Sequence, residues 1–105
     1  MLVSKEKFMD WLKKEDYSEW TGSGYPSTIY QYIGSIERVM KMEYIETFSE
    51  LTEHIQNLIR KYGPYGPMKN YGNMGHGTVI NALKRFMDFL INEYEFKPSK
   101  KIYFV

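Results

Sequence analysis

Residues 78–94 read TVINALKRFMDFLINEY, and the spacing of their apolar side chains decides the fold. Val79, Leu83, Phe86, Leu90 and Tyr94 recur every three or four positions, while Ala82, Met87 and Phe89 widen the stripe, so the spacing predicts a helix beginning near Thr78. A face that broad must be covered by other elements of the same chain.

Immediately upstream, residues 61–77 read KYGPYGPMKNYGNMGHG, with five glycines and two prolines. A phosphate-binding loop of the nucleotide-hydrolase kind needs a lysine followed by Ser or Thr opening the helix after a strand. Neither the lysine nor the strand is present before Thr78, so this stretch reads first as a connection between helices. Its second reading is an edge that touches phosphate. Gly75, Gly77 and Thr78 leave backbone donors unshielded at a helix N-terminus, whose partial positive charge favours anions.

Further upstream, Thr47-Phe48-Ser49-Glu50 has the capping-box pattern. It opens a third helix with Leu51, Ile55, Leu58, Ile59 and Tyr62 on its buried face and Gly63-Pro64 as its stop. A second helix is expected from around 26–28, with Ile29, Ile33, Ile36, Val39 and Met40 inward, ending near 44–46. Gly34 costs it roughly 1 kcal/mol against alanine, so close packing against a neighbour is expected there. Ser4 caps a first, short helix carrying Phe8, Met9, Trp11 and Leu12. Residues 16–26 read as a loop whose Trp20 and Tyr25 fold back onto the bundle.

The expected fold class is therefore all-α. It is a small four-helix bundle with a long Gly-rich loop between helices 3 and 4. Residues 1–96 form a single helical domain, and 97–105 a tail that is either docked or disordered beyond the break at Pro98.

Composition narrows function. The 105 residues contain no cysteine and two histidines, which excludes disulfides and thiolate metal sites, and no cofactor is expected. No continuous apolar stretch suits a leader or membrane span, so the expectation is a soluble, cytoplasmic protein. A net charge of +1 argues against a basic-tail binder.

The distribution is less bland. After Glu53 no carboxylate appears until Asp88, and that gap holds Arg60, Lys61, Lys69, Lys84 and Arg85. Folding is expected to bring Arg60, Lys61, Lys84 and Arg85 onto one exposed face beside the start of the last helix.

Chemistry-bearing clusters are sparse. His76 has no nucleophile or oriented partner in the pattern, and His54 reads as a rim residue. Asp10, Glu15, Asp16 and Glu19 read as a solvated helix face, so no enzyme is expected. Tyr25, Tyr30, Tyr65 and Tyr71, among ten tyrosines, fall outside the apolar stripes. Such tyrosines stack on bases or anchor protein interfaces.

The order FMDWL (8–12), STIYQYIGSI (27–36), a third helix ending in glycine, and GTVINALKRFMDFL (77–90) resembles the N-terminal core-binding, SAM-like domain of phage-type tyrosine recombinases, the integrases. The resemblance covers residues 5 to 94, which hold no arginine-histidine-arginine set and no recombinase nucleophile. It implies a DNA-binding module of a mobile element, with its second and fourth helices facing duplex DNA. Carried over by position, the DNA-facing residues are Ser27, Thr28, Tyr30 and Gln31, with Thr78, Asn81, Lys84 and Arg85. Arg60 and Lys61 join them on charge. Hydroxyls and cations suit phosphates, while Gln31, Asn81 and Arg85 suit base edges. The alternative is a protein–protein interaction module, a phage or regulatory adaptor, using the tyrosine-rich surface.

Overall fold

The computed structural model describes residues 2–15 and 28–98. Those residues form α1 (Lys5–Lys14), α2 (Thr28–Met42), α3 (Phe48–Tyr62), the short α4 (Lys69–Gly72) and α5 (Met74–Tyr94). The chain is an all-helical small bundle over this extent. The loop expected at 16–26 and the tail beyond Pro98 lie outside the described residues.

α5 is the axis. It packs against each of the other four helices, because its stripe is wide enough to be buried on more than one side. Val79, Ala82, Leu83, Phe86, Met87, Phe89 and Leu90 are all buried. Around it an aromatic cluster ties α1 and α3 to α5. Phe86 sits 5.2 Å from Phe8 of α1, 5.8 Å from Phe48 of α3 and 5.7 Å from Phe89.

Local capping sets the helix starts. The Ser4 hydroxyl accepts from the Lys7 amide at 3.2 Å, and the Thr47 hydroxyl accepts from the Glu50 amide at 3.0 Å. In a standard capping box the glutamate returns to the cap residue's own amide. Here the Glu50 carboxylate instead accepts from the Glu46 amide at 2.8 Å, one residue earlier. The α2 end is a Schellman closure, in which the Ile45 amide donates to the Met40 carbonyl at 2.8 Å and Tyr44 takes the left-handed position with φ 59°. Buried Ile45 then starts the return toward α3.

The segment from Gly63 to Gly77 differs from the uninterrupted loop expected. It contains α4, docked on the end of α3 by main-chain contact. The Met68 amide donates to the Lys61 carbonyl at 2.9 Å. At Gly72 an added Cβ would lie 1.9 Å from the Tyr62 carbonyl oxygen, so the backbones meet where no side chain fits. Tyr71 stacks edge-on against Tyr62, with ring centroids 6.0 Å apart.

α5 itself starts unusually. Gly75, His76 and Gly77 are consecutively left-handed, with φ of 63°, 59° and 85°. Regular right-handed helix begins at Thr78, where the spacing of apolar residues predicts it.

Candidate functional site

The residues expected to carry function fall into three groups. Tyr30, Gln31 and Thr78 come together. They line a groove of about 340 Å3 between the first turns of α2 and the head of α5, shared with Arg38, Tyr71 and Gly75. The α2 wall exists because Ile29, Ile33 and Ile36 are buried, which turns Gln31 and Arg38 outward on the opposite side. The α5 wall is fixed by the left-handed turn, where the Thr78 hydroxyl donates to the Gly75 carbonyl.

Arg38 is the functional candidate that the sequence reading missed. Its signal was helical spacing: Gln31, Gly34 or Ser35, and Arg38 follow one face of α2. The Arg38 guanidinium donates to the Ser35 hydroxyl at 3.2 Å, which holds it against the groove. Among the described residues no Asp or Glu lines this groove.

The second group sits nearby without entering that groove's lining. Thr28 is the first residue of α2 and is half-buried. Asn81 is exposed one turn into α5, its amide nitrogen 3.6 Å from where a Gly77 Cβ would stand. Lys84 is exposed and lines a separate hollow beside Tyr62. Ser27 lies outside the described residues.

The third group departs from expectation. Lys61 is held by Glu43, with Nζ 2.8 Å from Oε2, and Arg85 is held by Asp88 at 2.7 Å. The two cations therefore do not join Arg60 and Lys84 as a set of four free charges. Lys61 was unpredictable locally, since its partner is separated by the whole of α3. Arg85 was predictable, because a carboxylate three positions on faces it across one helical turn. Among the described residues, Arg60, Lys69 and Lys84 form no ion pair.

Glu43 is the most strongly held carboxylate described. It accepts from Lys61 Nζ at 3.0 Å and from the Tyr62 hydroxyl at 2.7 Å. Burial alone raises its pKa, but the hydrogen bonds from Lys61 and Tyr62, with the nearby positive charge of Lys61 and His54, outweigh burial and leave it below the usual carboxylate value. Burial and the Glu43 carboxylate push the Tyr62 phenol well up. His76 is exposed within the left-handed turn. Among the described residues no group of three or more His, Asp or Glu is arranged to hold a metal ion, and no helix is long and apolar enough to cross a membrane.

No protein-family model, curated protein or solved structure matches the chain.

Proposed function

We propose that the chain is a DNA-binding helical module, similar in layout to the SAM-like core-binding domain of phage-type tyrosine recombinases, and that the α2–α5 groove faces the duplex. One observation carries this reading: Tyr30 and Gln31 on α2 and Thr78 on α5 line the same groove with Arg38, and among the described residues no carboxylate stands in its walls. The division of labour follows from chemistry. Arg38 suits phosphate oxygens, Gln31 suits an adenine edge, and the rings of Tyr30 and Tyr71 supply flat apolar contact. The start of right-handed helix at Thr78 adds a modest favourable field for anions.

A gel-shift titration with duplex DNA tests it. Affinity is expected to fall steeply from low to moderate salt, and Gln31→Ala and Arg38→Ala are each expected to weaken binding. Failure to bind any duplex at low salt removes the proposal.

A protein-interaction module is the second reading, favoured by a different observation. Tyr44 and Tyr65 are 91% and 81% exposed, and Tyr44 stands over a hollow of about 480 Å3 whose apolar lining includes Met40, Ile45 and Phe48. Absence of duplex binding, with a stoichiometric protein partner lost in Tyr44→Ala and Tyr65→Ala, supports that reading in place of the first.

A further inference from the structure

A separate concavity of about 450 Å3 lies where α4 docks between the end of α3 and α5. It shares no lining residue with the α2–α5 groove. Its apolar lining comes from buried Tyr62 and Gly63 together with Ile80, and its polar lining from Lys69, Asn70, Asn73 and Lys84. We propose that this hollow is an oxyanion site that takes a phosphate group.

Three features argue for it. First, among the described residues the lining carries two ammonium groups and no carboxylate. Lys5, Lys61 and Arg85 each have an acidic partner, whereas Lys69 and Lys84 form no ion pair among the described residues. An anion seated in the hollow gains from both charges, and a phosphate dianion matches their sum.

Second, the donor inventory selects the ligand. A lysine offers three donors and no acceptor, and the asparagine amides add more donors. Such a set suits an anion whose oxygens all accept, as those of a tetrahedral phosphate do; a neutral sugar brings no charge to match the two ammonium groups, and an amine adds another cation.

Third, the lysine-bearing walls are fixed before any ligand arrives. α4 is held by the Met68 amide on the Lys61 carbonyl and by the Gly72 approach to Tyr62, while Lys84 projects from the central helix. Ordering on binding is confined to the side chains of Lys69, Asn70, Asn73 and Lys84, which limits the entropic cost.

The inference does not depend on the duplex reading. Its test is NMR on the isotopically labelled chain, titrated with inorganic phosphate against chloride at matched ionic strength. Saturable shifts are expected at the Asn70, Asn73 and Ile80 amides, lost in Lys69→Gln and in Lys84→Gln while both spectra remain those of a folded protein. Shifts that grow linearly without saturating, or that persist in both variants, overturn the proposal.

A duplex titration in the same variants identifies the source of the phosphate. A salt slope reduced by about one per lysine assigns it to a nucleic-acid strand, and an unchanged slope assigns it to a free phosphate compound. Duplex binding without any phosphate response sinks the hollow and spares the groove. A phosphate response without duplex binding does the reverse.

Discussion

The Tyr62 hydroxyl donates to Glu43 Oε2 at 2.7 Å, joining the last turn of α3 to the residue just past the end of α2. Lys61 closes on the same carboxylate, so one side chain collects two donors from consecutive positions. Because Glu43 titrates below its usual value of 4.5 in the folded state, its ionised form stabilises the fold at neutral pH. That contribution is lost as pH falls below 4.5 and through the lower folded value. Glu43→Gln is expected to cost about 1–3 kcal/mol at pH 7. The gap from the parent protein in urea midpoint is expected to shrink steadily as the acid limb is entered. A gap independent of pH would show that the carboxylate charge is irrelevant.

Tyr62 carries the opposite sign. Its phenol is raised above the usual 10.0, so its contribution is complete below that value and declines as pH rises above it. Tyr62→Phe is expected to flatten the alkaline limb of the stability profile, read by thermal melts across that range.

The Gly72 and Gly34 positions predict opposite outcomes for the same substitution. At Gly72 a methyl group would collide with the Tyr62 carbonyl at 1.9 Å, and both partners are backbone. Gly72→Ala is expected to cost about 1–3 kcal/mol and to speed hydrogen exchange at the Met68 amide. At Gly34 the close packing expected against a neighbour is not found among the described residues: the nearest atom is the Arg38 guanidinium of the same helix, 3.4 Å away, a side-chain end that can shift. There the gain in helix propensity, roughly 0.5–1 kcal/mol, is expected to prevail, raising the melting temperature.

Much of this architecture was legible because it is local. The Ser4 and Thr47 caps, the apolar stripe of α5 and the start of regular helix at Thr78 follow from neighbours within a few positions. The docking of α4 was not legible, since it depends on Gly72 meeting a carbonyl ten residues earlier, a contact that leaves no side-chain pattern. The site divided the same way. Tyr30, Gln31 and Thr78, singled out through motif order, share one groove; the pairing of Arg85 was legible from Asp88 three positions on, whereas that of Lys61 was not, because Glu43 reaches it through tertiary structure.

Tyr44 and His76 occupy left-handed backbone with φ of 59° each, which costs a residue with a Cβ about 1–2 kcal/mol. Glycine removes that cost but adds chain entropy of about 0.5–1 kcal/mol. Tyr44→Gly and His76→Gly are therefore expected to stabilise by about 0.5–1 kcal/mol, measured by chemical denaturation. Unchanged or lower stability would mean that these side chains make compensating contacts.

The ion pairs order the cations by their expected effect on duplex affinity. Among the described residues Arg38 and Lys84 carry no carboxylate partner, whereas Arg85 is occupied by Asp88. Arg38→Gln and Lys84→Gln are each expected to weaken duplex binding several-fold at low salt, and Arg85→Gln to change it little. A reversed ranking in the gel-shift titration would place the contact surface elsewhere on α5.

The left-handed turn at residues 75–77 makes chain length there as restrictive as composition. An α-helix advances about 100° per residue, so deleting one residue from this elbow would rotate the whole apolar stripe of α5 by that angle against α4, or else pull α4 off its anchor at Tyr62. Insertions and deletions, harmless in an ordinary connecting loop, would at this hinge put the central helix out of phase with its partners.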